Sequence, residues 1–101
     1  MECKILRTNF YEKWFNKQDD EVQEKVINYV SRLQMGNCSN CKALKKGVSE
    51  LKIDFGKGIR IYYTKSSNTI LILLYGGSDK KQQQEDIEKA IAIRETLRGQ
   101  I

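Results

Sequence analysis

The sequence GVSELKIDFGKGIRIYYT, residues 47–64, carries the clearest structural pattern in this chain. Apolar and polar residues alternate on both sides of its Gly-Lys-Gly, and alternation of period two is typical of half-buried β-strands. We therefore predict two strands joined by a tight turn, with an apolar face and a second face that is rich in charge and phenol groups. The apolar face holds Val48, Leu51, Ile53, Phe55, Ile59, Ile61 and Tyr63, and the second face holds Glu50, Lys52, Asp54, Arg60, Tyr62 and Thr64.

The net charge of the 101-residue chain, +5, is concentrated on this hairpin and its approach. Residues 42–65 hold seven basic and two acidic residues, whereas the rest of the chain holds eleven of each sign. A clustered positive field is typical of proteins that bind a polyanion, and nucleic acid is the commonest. The alternative is a solvated basic face without a partner, and charge alone leaves both open.

The N-terminal third of the chain predicts a strand and two helices. Residues 2–7 are expected to form the strand. Asn9 is expected to cap a first helix with an aromatic face, and Asp19 or Asp20 to begin a second helix, which ends near Gly36. Two helices connected so closely are expected to form a hairpin that packs on a sheet.

The remainder of the chain predicts a loop, one further strand and a helix around the opening hairpin. Residues 38–46 are expected to be a loop, residues 70–75 a central strand covered on both faces, and Ser78 the cap of a last helix. The order is then β-α-α-β-β-β-α. We predict one α+β domain, in which an N-terminal helical hairpin and a C-terminal helix pack on an antiparallel sheet.

Several classes of protein and site are excluded by what the sequence lacks. No apolar targeting segment opens the chain and residues 70–75 are too short to span a bilayer, so we expect a cytoplasmic protein with no membrane contact. The cysteines, at positions 3, 38 and 41, are expected to be free thiols, because an odd count argues against a disulfide framework. Cys38 and Cys41 lack further ligands for zinc, so no metal or cofactor is expected.

The chemistry left open is that of cations beside phenols. The sequence has no histidine, which excludes a Ser-His-Asp or Cys-His pair. Lys52, Arg60 and Tyr62 are expected on one sheet face, and Lys80 and Lys81 near its edge. Such a set can bind a phosphate and stabilise charge developing on it. Because RNA supplies its own 2′-hydroxyl nucleophile, plain binding and metal-free cleavage both stay possible.

Several segments, in this order and spacing, resemble the RelE/ParE superfamily of addiction-module toxins, close to the HigB-like killer proteins. They are Gly36-Asn37, residues 47–51, residues 58–63, the apolar strand, Gly76-Gly77, Asp79-Lys80 and Asp86-Ile87. The resemblance covers nearly the whole chain, and it implies a single RelE/ParE-like toxin domain over residues 1–101.

The resemblance implies the toxin of a type II toxin–antitoxin system. Relatives of the RelE and HigB type cut mRNA in the ribosomal A site without a metal and so arrest translation. It further implies a cognate helix-turn-helix antitoxin as partner, with operator DNA contacted only through that antitoxin. The alternatives are a gyrase inhibitor of the ParE type and a basic RNA-binding module without catalysis.

The resemblance also implies roles for individual residues. Arg60 matches the arginine that contacts the scissile phosphate, and Lys52 and Lys80 match neighbouring basic positions. Further RNA contacts are expected from Lys42, Lys45, Lys46, Lys57 and Lys81. The chain departs from the family at residues 84–87, where relatives carry a tyrosine or a histidine. Proton transfer is therefore left to Tyr62, Tyr63 or Asp86, and Tyr62 joins Lys52, Arg60 and Lys80 as a predicted catalytic residue.

Overall fold

A computed structural model describes residues 2–97 as a five-stranded sheet with helices on both faces. The strand order is β1-β5-β4-β3-β2, and every neighbouring pair is antiparallel except β1 with β5. The elements are β1 (Lys4–Arg7), α1 (Asn9–Asn16), α2 (Asp20–Gln34), β2 (Cys41–Ala43), β3 (Ser49–Ile53), β4 (Ile59–Ser67), β5 (Ile70–Gly77), a 3₁₀ turn (Lys80–Gln82) and α3 (Gln83–Thr96).

The predicted α+β fold is confirmed, with two differences in the sheet. Residues 38–46, predicted to be a loop, contain the short edge strand β2, which pairs with β3. Three residues are too few to show an alternating pattern, so this strand depends on its neighbour and not on a local signal. The second difference is that β1 runs parallel to β5, so the sheet is mixed and not wholly antiparallel.

The predicted hairpin of β3 and β4 is present, with Lys52 directly opposite Arg60. Gly56 and Gly58 both adopt positive φ angles, +61° and +93°, in the connecting turn. L-residues with a side chain rarely adopt this conformation, so the Gly-Lys-Gly sequence is what allows so tight a return.

The helical hairpin of α1 and α2 covers one face of the sheet. Asp19 caps α2 as predicted, its carboxylate accepting from the Val22 amide at 3.0 Å. The cap of α1 is Thr8 and not Asn9. The Thr8 hydroxyl accepts from the Tyr11 amide and donates to the Leu74 carbonyl at 2.9 Å, which ties the helix to β5. The core on this face comprises Tyr11, Val26, Val30, Leu33, Leu51, Ile53, Ile59, Ile61, Tyr63, Leu71 and Leu73.

Helix α3 covers the second face of the sheet, so the central strand β5 is covered on both faces as predicted. Its Ile87, Ala90 and Ile93 pack on Val48, Tyr62, Ile72 and Leu74. Val48 therefore lies on the face opposite Leu51, so its predicted place was wrong. Tyr62 projects from the predicted face but is fully buried, at 0% exposure. Alternation identifies the residues that share a face, but it does not reveal whether a helix covers that face.

The start of α3 also differs from the prediction at Ser78. Asp79 caps a 3₁₀ turn through a bond from the Lys81 amide at 2.9 Å, and the α-helix begins only at Gln83. The extra turn carries Lys80 and Lys81, and Lys80 lies close to the tip of the hairpin.

The prediction of free thiols is wrong for Cys38 and Cys41, which form a disulfide between the end of α2 and β2. The turn brings their Cα atoms to 5.7 Å, and an odd cysteine count is compatible with one pair because Cys3 stays free. Of the helices within residues 2–97, none is long and apolar enough to cross a membrane.

A candidate anion-binding site at the hairpin tip

An open depression of about 440 Å³ lies at the tip of the β3–β4 hairpin. We call it the tip depression. It is lined by Lys52, Asp54, Phe55, Gly56, Lys57, Gly58, Arg60 and Lys80. Three of the four predicted catalytic residues, Lys52, Arg60 and Lys80, therefore meet there, together with the predicted RNA-binding residue Lys57. The fourth, Tyr62, does not line it.

The sheet register explains why these cations converge. Lys52 on β3 stands opposite Arg60 on β4, and Arg60 in turn stands opposite Gly77 at the end of β5. The chain leaves β5 at Gly77 and reaches Lys80 three residues later. Like charges directly opposite each other on a sheet destabilise it, so this arrangement favours the binding of an anion.

Arg60 is held by an acidic partner that the sequence analysis did not include in the site. Only 7% of Arg60 is exposed, and its Nε lies 3.7 Å from Oε1 of the buried Glu50. The Gln83 side chain donates to the same oxygen at 3.1 Å. Glu50 is thus fixed from both the strand and the helix, and it fixes the guanidinium in turn.

A signal for the Glu50–Arg60 pair was present in the sequence. The two residues lie on the same face of neighbouring strands, with Glu50 opposite Tyr62 and therefore diagonal to Arg60. Diagonal neighbours are within reach of long side chains. The contribution of Gln83 carried no such signal, because it depends on how α3 docks on the sheet.

Asp86, on α3, reaches the sheet at the residue opposite Arg60. Its carboxylate packs against Gly77, where a Cβ atom would overlap it. Burial raises the pKa of the Asp86 carboxyl above its ordinary value, although Lys89 and, more weakly, Arg60 act in the opposite direction. The Asp86 carboxyl is therefore easier to protonate than an ordinary aspartic acid.

Tyr62 is buried beside these groups. Burial, followed by the charges of Glu50 and Asp86, raises the pKa of its phenol. The hydroxyl has no hydrogen-bond partner among the residues that the structure describes. Both features disfavour a phenol that exchanges protons with a bound substrate.

The remaining predicted RNA-binding residues are spread around the hairpin. Lys42 lies on the β2 edge in a shallow depression shared with Glu50 and Lys52. Lys45 and Lys46 line a separate depression at the other end of β3. Lys81 is exposed on the 3₁₀ turn, outside the lining of the tip depression. Within residues 2–97, no three histidine, cysteine, aspartate or glutamate side chains are grouped so as to hold a metal ion.

Two solved structures share this fold. One is a mutant of the E. coli toxin RelE in the free state, with a TM-score of 0.69 and 13% identity, covering 88% of this chain and 98% of that one. The other is the toxin–antitoxin complex RelBE2 from Mycobacterium tuberculosis, with a TM-score of 0.65 and 14% identity, covering 78% of this chain and 100% of that one. The resemblance to the RelE/ParE superfamily is thereby confirmed in the fold.

Two sequence comparisons identify the family. An uncharacterized protein of Haemophilus influenzae is 34% identical over 98 residues, which are 96% of this chain and 98% of that protein. The family model described as phage-derived protein Gp49-like matches residues 13–96. That match takes in α2, the whole β3–β4 hairpin, the tip depression and α3. The chain belongs to the family of Gp49-like phage-derived proteins, with the fold of the RelE toxins.

Proposed function

We propose that this protein is the toxin of a type II toxin–antitoxin system and cuts mRNA on the ribosome without a metal ion. One observation carries the proposal: Lys52, Lys57, Arg60 and Lys80 converge on one open depression of a RelE-type fold. Four cations at one site form a strong electrostatic trap for a phosphodiester, and they can stabilise the extra charge of its transition state.

The proposed reaction is an internal transfer within the RNA. The 2′-hydroxyl attacks the adjacent phosphorus and loses its proton, while the bond from phosphorus to the 5′-oxygen of the next nucleotide breaks. The 5′-oxygen gains a proton, so the products are a 2′,3′-cyclic phosphate and a free 5′-hydroxyl. Lys52, Arg60 and Lys80 neutralise the pentacovalent phosphorane, and the protein supplies orientation and charge.

We propose Asp86, not Tyr62, as the side chain that transfers a proton. Its carboxylate packs against Gly77, the residue opposite Arg60, and burial raises the pKa of its carboxyl above the ordinary value, so it holds a proton more readily than an exposed aspartic acid. Neither side chain lines the tip depression, but Tyr62 is fully buried under α3, whereas Asp86 is partly exposed. Residues 84–87 lack the tyrosine or histidine that the relatives carry there, and Asp86 is one of the three side chains that the sequence leaves as candidates for proton transfer.

The test is inducible expression of the full chain, with growth as the first readout and mapping of mRNA 5′ ends as the second. Wild type is expected to arrest growth and to produce new 5′ ends within codons. Lys52→Ala and Lys80→Ala are expected to reduce cleavage by at least tenfold, because each removes a positive charge from the phosphate site. Lys13→Ala, an exposed lysine on α1, is the matched control. Cleavage at the wild-type rate in Lys52→Ala/Lys80→Ala would contradict the site.

The proposed partners follow from the same reading. The M. tuberculosis neighbour is a toxin–antitoxin complex by its name. We propose that this chain has a cognate helix-turn-helix antitoxin as its partner and contacts operator DNA only through that antitoxin. Its proposed site of action is the cytoplasm, on ribosomes and A-site mRNA. Co-expression of the neighbouring reading frame is expected to restore growth.

The buried Glu50–Arg60 pair favours a second candidate, a basic RNA-binding module without catalysis. An arginine that keeps its carboxylate partner binds a phosphate less strongly than a free one. Under this reading, the protein binds RNA but growth continues and no new 5′ ends form. Growth arrest with intact mRNA would point instead to the gyrase-inhibitor alternative.

A further inference from the structure

A second basic depression of about 430 Å³ lies at the opposite end of the β3–β4 pair. We call it the far depression. Its lining contains Lys45, Lys46, Lys65 and Arg94, and within residues 2–97 no carboxylate belongs to it. The remaining lining residues are Ala43, Leu44, Gly47, Val48, Ser49 and Thr64.

Arg94 reaches this depression through a specific set of contacts. Its guanidinium lies over Gly47, where an added Cβ would come within 2.6 Å of Cζ. Its Nε donates to the Thr64 hydroxyl at 3.0 Å, and that hydroxyl donates to the Gly47 carbonyl at 2.7 Å. Gly47 is favoured by its φ of +81°, and its lack of a side chain leaves room for the guanidinium.

The turn that carries the two adjacent lysines is also constrained. Lys46 has a φ of +52°, the only positive value among the described residues other than glycine. The Val48 amide donates to the Lys45 carbonyl at 3.0 Å, and the Leu44 amide donates to the Val48 carbonyl at 2.9 Å. A left-handed lysine costs conformational energy, and it is held here by these bonds. The result is a rigid turn that presents two exposed cations.

The two basic depressions lie along the same strand. Arg60 lines the tip depression and Thr64 lines the far depression, and both are on β4. Four residues of strand separate them, which corresponds to about 13 Å at 3.3 Å per residue. Glu50 and α3 lie between, so the cations form two separate groups and not one continuous surface.

We propose that the far depression is a second phosphate subsite, which holds the backbone of the same single-stranded RNA whose scissile phosphate occupies the tip depression. The inference rests on the proposed function and extends it to a substrate that spans several nucleotides. Four cations without a lining carboxylate bind phosphate, and a single strand of a few nucleotides can span the distance between the two depressions along the β2 side of the sheet, where Lys42 is exposed.

The test measures RNA binding by the full chain with a fluorescein-labelled single-stranded RNA dodecanucleotide at several salt concentrations. Each phosphate contact with a single strand contributes roughly 0.7 to the slope of log affinity against log salt. The variant Lys45→Gln/Lys65→Gln is expected to lower that slope by about 1.4, because two contacts are lost. Lys13→Gln/Lys17→Gln changes the net charge equally at exposed sites on and beside α1, and its slope is expected to match wild type.

A dinucleotide with a single internal phosphate provides the second arm, since it can occupy only one depression. Lys45→Gln/Lys65→Gln is expected to lose much less affinity for it than for the dodecanucleotide, because the tip depression still binds it, whereas Lys57→Gln/Lys80→Gln is expected to lose affinity for both RNAs. An unchanged slope with the dodecanucleotide, or equal losses for both RNAs in Lys45→Gln/Lys65→Gln, would overturn the proposal. Equally tight binding of duplex DNA of the same length would overturn the assignment to a single strand.

These outcomes separate the inference from the proposed function. A wild-type protein that binds the dodecanucleotide with the expected slope but produces no cleavage on ribosomes would refute the nuclease and leave the second subsite standing. Cleavage with an unchanged slope in Lys45→Gln/Lys65→Gln would refute the subsite and leave the nuclease standing.

Discussion

Replacing Glu50 by Gln should affect stability and RNA binding in opposite directions. Glu50 is 3% exposed and pairs with Arg60, which is 7% exposed, at a distance of 3.7 Å between Oε1 and Nε. Gln keeps the shape and can still accept the bond from Gln83, so the change removes charge and little else. The variant therefore isolates what the buried ion pair contributes.

The magnitude follows from the geometry. Two unit charges 3.7 Å apart attract by about 4.5 kcal/mol at an effective dielectric constant of 20. The separation exceeds the ~2.8 Å of a direct charge-assisted hydrogen bond, and an amide is easier to bury than a carboxylate. We expect the free energy of unfolding to fall by about 3 kcal/mol, at the low end of the range for a broken buried pair.

The assay is thermal and urea unfolding followed by circular dichroism. A loss of about 3 kcal/mol lowers Tm by roughly 12 °C in a chain of this size. Glu88→Gln, at an exposed position on α3, is the control and should stay within about 0.5 kcal/mol of wild type. The double variant Glu50→Gln/Arg60→Met should lose less unfolding free energy than the sum of the losses in Glu50→Gln and Arg60→Met. The difference should be about 1 kcal/mol or more, because the two residues are coupled.

The second readout is affinity for the RNA dodecanucleotide. With Glu50 neutral, Arg60 loses its ion-pair partner, so RNA binding should become tighter at low salt. A loss of less than about 1 kcal/mol in the free energy of unfolding would refute the argument for the buried pair. Weaker RNA binding in a folded variant would refute the idea that Glu50 competes with the phosphate.

Three further predictions concern side chains around the same cluster. Tyr62→Phe should leave the free energy of unfolding unchanged or raise it by up to about 1 kcal/mol, since the buried hydroxyl lacks a hydrogen-bond partner among residues 2–97. Growth arrest should persist in this variant, and its loss would place the phenol in the reaction. Burial makes native Asp86 hold its proton more tightly than the unfolded chain does, so the stability of wild type should fall as pH rises from the ordinary pKa of 3.8 through the raised pKa. Asp86→Asn should lack that fall when the free energy of unfolding is measured from acid to neutral pH. The same pH dependence in both proteins would contradict the raised pKa. Gly76→Ala should cost about 1–3 kcal/mol in thermal unfolding, because its Cβ overlaps the Trp14 indole, and unchanged tryptophan fluorescence with wild-type Tm would show that this contact is loose.

Local patterns predicted much of the secondary structure because their causes are local. Period-two alternation and a Gly-Lys-Gly turn specify the β3–β4 hairpin, and Asp19 caps α2 through its own side chain. The strand β2 was missed because three residues carry no period. The disulfide of Cys38 and Cys41 was missed because the number of cysteines says nothing about the distance between two of them in the folded chain.

The candidate site divides in the same way. The sequence by itself determined that Lys52 and Arg60 share a face and that the excess positive charge belongs to the hairpin, because alternation and composition are properties of the chain. Only the tertiary structure decided which of these groups meet solvent. The docking of α3 buries Tyr62, sets Gln83 against Glu50 and separates the cations into two depressions. Burial and pairing depend on contacts between residues far apart in the chain, and the spacing of residues does not encode them.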